Sequence, residues 1–160
     1  LEFRRVLFRS VGLSSTYSLN NFRLYSTDVG LLVTLMFKDK TFTENSIYNK
    51  LLSNKLAANL GIVYENAVAQ MLATKGYKLY YHTYYDKRRK RNVEIDFILP
   101  RGNKIIPIEI KSSNYRSHTS LDRFSEKFLS RVPEKLVIHT KDLDYTNSTL
   151  YLPIYLAFFL

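Results

Sequence analysis

Apolar positions recur along this chain with two different periods, and the switch between them marks its elements. From Gly61 to Lys75 the apolar residues Val68, Ala69 and Leu72 share one helical stripe, and Gly76 stands where such a helix stops. Glu65 lies on that same stripe, three, four and seven residues before them. The period then falls to two. Tyr77 to Tyr85 reads as a first strand, Glu94-Ile95-Asp96-Phe97-Ile98 as a second and Ile108-Glu109-Ile110-Lys111-Ser112 as a third. Pro100-Arg101-Gly102-Asn103 is a turn that brings the third strand back beside the second. Thr119 or Ser120 opens another helix, with Leu121, Phe124 and Phe128 on one face; Lys135 to His139 reads as a fourth strand. After a turn over Leu143 to Ser148, Leu150 to Leu156 is the last strand. The order is helix, three strands, helix, strand.

Upstream the pattern is looser. Leu24, Val29, Leu31, Leu32, Leu35 and Met36 make an apolar, helix-like segment from Phe22 on, with Asp28 near its start read as a helix cap in preference to a functional acid. Lys38 to Ser46 is polar and reads as a loop, and Ile47 to Leu60 resumes helical character with Leu51, Leu52, Leu56 and Leu60. Val11 to Asn21 is polar and reads as a linker. Leu1 to Ser10 lacks an initiator Met and resembles a translated sequencing-adapter remnant, so it is set outside the fold. The expected organisation is a leader and linker over 1–21, a helical extension over 22–60 and an α/β domain over 61–160.

Composition narrows the chemistry. At 160 residues, 46% apolar and 24% charged, the chain suits one globular domain with its own core. It has no Cys, which excludes disulfides and thiolate metal sites, and His82, His118 and His139 are too widely spaced to suggest zinc. His118, near the end of the third strand, reads as a capping or solvent-exposed residue, the alternative being a contact to substrate phosphate. The net charge of +10, or +8 without the leader, invites a polyanionic partner. Half of the formal excess sits in Lys87-Arg88-Arg89-Lys90-Arg91 at a hairpin tip. Such a run either grips phosphates and steers nucleic acid or is a solvated turn. No stretch reaches the about eighteen apolar residues of a membrane span. The closest run, Leu150 to Leu160, is interrupted by Pro153. With no secretory signal, a cytoplasmic protein is expected.

The second and third strands carry the chemistry. Asp96 and Glu109 meet on one face of the hairpin, with Lys111 about 6.6 Å along the strand from Glu109. An Asp, a Glu and a Lys so gathered suit phosphodiester cleavage by Mg²⁺ or Mn²⁺. Asp96 and Glu109 would hold the metal and Lys111 would position the attacking water. The alternative is a pair of solvated strand faces with surface ion pairs. From the pattern alone Glu65 either reaches solvent at the edge of its stripe or joins this site.

Glu65 on a helix, then Asp96, then Glu109-Ile110-Lys111, resembles the PD-(D/E)XK nuclease-like arrangement. That resemblance implies a restriction-endonuclease-like αβββαβ core, a mixed sheet flanked by helices, here with an N-terminal helical extension. It also places Glu65 in the site. Arg23-Leu24-Tyr25-Ser26-Thr27-Asp28-Val29-Gly30-Leu31-Leu32, Gly61-Ile62-Val63-Tyr64-Glu65-Asn66 and Asn92-Val93-Glu94-Ile95-Asp96-Phe97 resemble the C-terminal domain of unknown function carried by many prokaryotic AAA-type ATP-binding proteins. The likeness runs from about Phe22 to the end, and it implies an ATPase module upstream as a partner. The chain itself has no Gly-x-x-x-x-Gly-Lys-Ser/Thr loop. The expected function is therefore metal-dependent hydrolysis of DNA by a nuclease-like domain. The second reading is a catalytically inactive module of the same fold that binds nucleic acid or protein and regulates the ATPase; a third is a basic nucleic-acid-binding domain without metal.

Overall fold

The computed structural model describes residues 3–9, 17–37, 49, 60–87 and 89–160, with backbone alone for 3–9 and 17–21. Its elements in chain order are β1 (Phe3–Arg9), β2 (Tyr17–Ser26), α1 (Val29–Phe37), α2 (Leu60–Thr74), β3 (Tyr80–Asp86), β4 (Arg91–Arg101) and β5 (Lys104–Ile110). Then follow α3 (Thr119–Lys127), β6 (Lys135–His139), β7 (Asp144–Thr146), β8 (Thr149–Pro153) and a 3₁₀ turn over Ile154–Phe159. Among the described residues the strands form one mixed sheet in the order β2-β1-β3-β4-β5-β6-β8-β7. Strands β3, β4 and β5 are an antiparallel meander, whereas β5, β6 and β8 run parallel, so their carboxyl ends share one edge of the sheet.

Helices cover both faces because both faces are apolar. Val68, Ala69, Leu72 and Ala73 of α2 pack on Phe97, Leu99, Ile106, Ile108, Leu136 and Ile138, with Ala157 of the 3₁₀ turn beside them. On the other face Leu121 and Phe124 of α3 pack on Ile95, Ile98, Val137 and Tyr151. The apolar stripe expected of α2 is thus buried, and its end is built as expected. Gly76 takes φ +84°, while the N–H groups of Gly76 and Tyr77 return to Ala73 and Leu72 carbonyls at 3.0 and 3.2 Å. Asp28 caps α1, its Oδ1 accepting the Leu31 N–H at 2.9 Å.

Several expectations are corrected. The leader does not stand outside the fold: Phe3–Arg9 is β1, paired antiparallel with β2 and parallel with β3. The helix-like reading from Phe22 fails up to Ser26, where β2 continues, because Phe22-Arg23-Leu24-Tyr25 alternates with period two. Leu24 is exposed and Tyr25 is buried. The turn over Leu143 to Ser148 contains a short strand, β7, whose two-residue hairpin places Asn147 and Ser148 at φ 52° and 56°. The last strand ends at Pro153 instead of continuing to Leu156. Of the helical reading for 47–60, only residues 49 and 60 are described; the rest, like the loop over 38–46, lies outside the described residues. No helix among the described residues is long and apolar enough to cross a membrane.

One clamp fastens β2 to α2. Asn66 is 2% exposed, its Oδ1 accepts the Ser26 N–H at 2.8 Å and its Nδ2 donates to the Ser26 carbonyl at 2.9 Å. Asn66→Ala strands both backbone groups, and urea unfolding should show a loss of about 2 kcal/mol. A loss within about 0.5 kcal/mol would mean that the clamp does not hold β2.

Candidate functional site

The site begins with an irregularity in β4. Tyr80 pairs with Ile98 but His82 with Ile95, so Asp96 and Phe97 together oppose Tyr81. This β-bulge cancels the expected alternation: Phe97 turns onto the α2 side with Leu99, while Ile95 and Ile98 both pack under α3. Asp96, expected opposite an apolar pair, is instead released into the gap where β4 leaves β5. There its Oδ2 accepts the backbone N–H of Ile110 at 2.8 Å, which extends the β4–β5 contact beyond the last paired residues, Phe97 and Ile108.

Two groups of side chains meet around this gap. On the α2 side Arg23 of β2 is held among three carboxylates. Its Nη1 lies 2.8 Å from Glu65 Oε1 and 3.8 Å from Asp96 Oδ1, and its Nη2 pairs with Glu94. The guanidinium also sits 4.8 Å from the Tyr81 ring centroid. Tyr25, two residues on, donates its hydroxyl to Glu65 Oε1. Burial, then the Glu65 charge, pushes the Tyr25 phenol well above its ordinary pKa, so it stays a donor.

The second group belongs to β5. Glu109 is buried, and its Oε1 lies 2.6 Å from Lys111 Nζ while its Oε2 is buried without a hydrogen-bond partner among the described residues. Ile108 and Ile110 pack toward α2, so Glu109 and Lys111 project from the opposite side of the pleat. The carboxylates of Asp96 and Glu109 therefore approach the gap from different sides. They still feel one another. Burial, the Glu65 charge and the Glu109 charge raise the Asp96 pKa to about 7, against the lowering effects of the Ile110 N–H and Arg23.

The four expected residues are thus joined as Glu65 to Asp96 through Arg23, and Glu109 to Lys111 directly. Among the described residues no group of three or more His, Asp or Glu side chains is gathered closely enough to hold a metal ion. Arg23, Tyr25, Glu94 and Asn66 were assigned no role from sequence. The period-two run that puts Arg23 and Tyr25 on one face of β2 was the available signal. Lys87, Arg89, Lys90 and Arg91 are exposed at the β3–β4 hairpin, with Lys90 at φ 50°; Arg88 lies outside the described residues. His118 is not exposed; it stands at the N-cap position of α3 as expected, though without a side-chain cap hydrogen bond. It is buried, with Nε2 2.7 Å from the Tyr151 hydroxyl and Nδ1 3.0 Å from Asp122.

The model of one protein family, described as Domain of unknown function (DUF4143), matches residues 60–157. The chain belongs to this family. The match spans α2 to the 3₁₀ turn and contains Glu65, Asp96, Glu109 and Lys111, whereas Arg23 and Tyr25 precede the matched family region. No curated protein and no solved structure matches the chain.

The raised Asp96 pKa has a sign. An acid that holds its proton more tightly when folded adds stability that is full below its ordinary value of 3.8 and is lost as pH climbs toward about 7. Urea unfolding at pH 5 and pH 8 should show lower stability at the higher pH, falling by at most about 1.4 kcal/mol per pH unit across that window. Asp96→Asn should flatten the dependence. A wild-type profile equally flat would show that Asp96 titrates normally.

Proposed function

We propose that this domain binds DNA and hydrolyses its phosphodiester bonds with Mg²⁺ or Mn²⁺ held by Asp96 and Glu109. The observation that carries the reading is Glu109 Oε2, a buried carboxylate oxygen without a partner among the described residues, beside a lysine and across the β4–β5 gap from a second carboxylate. Carboxylate oxygens are the donors a hard cation takes, and one or two suffice for Mg²⁺ when water and phosphate fill the remaining positions. Glu109 and Asp96 fit that role. Glu65 fits it poorly, since Arg23 and Tyr25 already engage its Oε1. Glu65 instead keeps Arg23 against Asp96. The order α2, β3–β5, α3, β6, with an antiparallel meander followed by a parallel strand, supports a PD-(D/E)XK nuclease-like core.

When bound, the metal would activate a water and offset charge on the scissile phosphate. The chain's own residues supply the rest. Lys111, anchored through Glu109 Oε1, keeps its other ammonium hydrogens for a water or a phosphate oxygen. The Asp96 carboxylate is oriented by the Ile110 N–H. An AAA-type ATPase module upstream and a cytoplasmic setting belong to this reading as partner and place.

A specific observation favours the second reading, a non-catalytic module that regulates such an ATPase. Arg23 pairs with Glu65 and Glu94 and lies near Asp96, so part of the site is already neutralised from within. One experiment separates the two: calorimetric Mn²⁺ binding and plasmid nicking on the same folded samples. The wild type should bind Mn²⁺ and nick. Asp96→Asn and Glu109→Gln should lose both, and Lys111→Met should bind metal but nick at least about 100-fold more slowly. Arg23→Gln should bind Mn²⁺ more tightly than wild type, because a competing cation is gone. A folded wild type that neither binds nor nicks leaves the regulatory module.

A further inference from the structure

Helix α3 carries two cations that the sequence reading left aside. On β3, His82 and Tyr84 face this helix: the His82 ring lies 5.4 and 6.1 Å from those of Phe124 and Phe128, and Lys127 Nζ lies 3.8 Å from the Tyr84 centroid. Their cross-strand partners on β4 are Ile95 and Val93, and the next pair along the same face is Asp86 with Arg91. Arg91 therefore projects on the α3 side of the hairpin. Arg123 and Lys127, four residues apart, stand on one side of α3, about 6 Å apart along its axis.

These cations are poorly compensated. Arg123 Nε and Nη1 are shielded from solvent and have no hydrogen-bond partner among the described residues. Burial, then the like charges of Arg89 and Arg91, lower the Arg123 pKa, with Asp86 and Tyr84 offsetting part of that effect. Lys127 Nζ rests over aromatic rings, 5.4 Å from Phe128 as well as close to Tyr84. A fold gains nothing by driving a shielded guanidinium against two more of its kind. A ligand that supplies anionic oxygens to all of them removes the cost.

We propose that Arg123 and Lys127 of α3, together with Arg89 and Arg91 of the β3–β4 hairpin, form a two-element clamp for the phosphate backbone of nucleic acid. The clamp shares with the proposed function only its ligand class and needs none of the hydrolytic chemistry. Nucleic acid is favoured over other polyanions because half-buried Tyr84, on the same face of β3 and beside Lys127, is an aromatic ring that a base or sugar can meet and for which a protein carboxylate surface has no use.

The test is fluorescence anisotropy of a labelled DNA duplex with the full chain in EDTA, across a salt series. Arg123→Gln and Lys127→Gln should each weaken binding several-fold and reduce the slope of log K against log salt by about one. Arg123→Gln should melt no lower than wild type, since a repelled charge is removed, and Arg123→Lys should keep most of the affinity. Lys78→Gln, two residues before β3 begins and remote from its hairpin end, should leave affinity and slope unchanged. Equal losses from Lys78→Gln would reduce the effect to net charge and overturn the clamp. So would a lower melting temperature for Arg123→Gln with unchanged DNA affinity in Lys127→Gln, which would make Arg123 structural. Tighter, equally variant-sensitive binding to phosphatidylserine vesicles would assign the surface to a membrane. The same titration with Glu109→Gln separates the two proposals: DNA binding without nicking leaves the clamp standing, and nicking that Arg123→Gln and Lys127→Gln leave untouched refutes it alone.

Discussion

A shielded backbone N–H must find an acceptor, and that of Ile110 finds a side chain. The bulge in β4 ends regular pairing with β5 after Phe97 and Ile108, and the Asp96 carboxylate replaces the missing strand carbonyl. This substitution fixes the rest of the site. A carboxylate used as a structural acceptor is held in the sheet, where burial and neighbouring acids make its charge costly. Arg23 is drawn in from β2, Glu65 steadies Arg23 from α2, and Tyr25 steadies Glu65. One extra residue in a strand thus accounts for four side chains from three different elements.

Arg23 makes the site composite. The family-matched region supplies Glu65, Glu94, Asp96, Glu109 and Lys111, while the guanidinium that balances three of those acids comes from β2, upstream of it. Partly buried ion pairs contribute little net stability while both partners stay, but removing one leaves the other uncompensated. Loss of Arg23 would leave Glu65 and Asp96 in mutual repulsion, which either destabilises the domain or makes it seek another cation. The Asn66 clamp on Ser26 ties the strand carrying Arg23 to the helix carrying Glu65, so the pairing is set by backbone hydrogen bonds as much as by charge.

What could be read from sequence was whatever depends on local period and turn chemistry. The α2 stripe ending at Gly76, the β4–β5 hairpin, the α3 face of Leu121 and Phe124 and the adjacency of Glu109 to Lys111 all follow from spacing alone. The bulge does not, because Glu94-Ile95-Asp96-Phe97 keeps its letters in alternation while the backbone shifts Phe97 to the other face. The shared face expected for Asp96 and Glu109 was lost at that residue. β2 was misread for a related reason: Leu24 and Leu31 are spaced like a helix stripe, yet Ser26 and Asp28 break the segment into a strand and a separately capped helix. Periodicity could place Arg23 beside Tyr25 on one face of β2 but could not give its partners. Those partners lie 42, 71 and 73 positions away in sequence, and only the fold brings them together.

The charge distribution decides how substrate would reach such a site. Around the gap four carboxylates, Glu65, Glu94, Asp96 and Glu109, face two cations, Arg23 and Lys111. By itself this surface repels a polyanion. The cations of the β3–β4 hairpin lie on a strand extension past Asp96, with Arg91 five residues before it, or about 16 Å at the rise of a strand. That is roughly twice the screening length at physiological salt, so under the proposed function the hairpin would hold a phosphate chain without cancelling the acids. In the proposed function, affinity and chemistry would therefore be carried by separate charges. A phosphate brought to the gap by the hairpin still needs a local cation to rest against Asp96 and Glu109. Within the chain Lys111 is placed on the Glu109 side, while Arg23 is engaged by Glu65 and Glu94. A divalent metal adds two positive charges where two carboxylates approach the same gap, and its binding would turn this surface from one that excludes phosphate into one that accepts it.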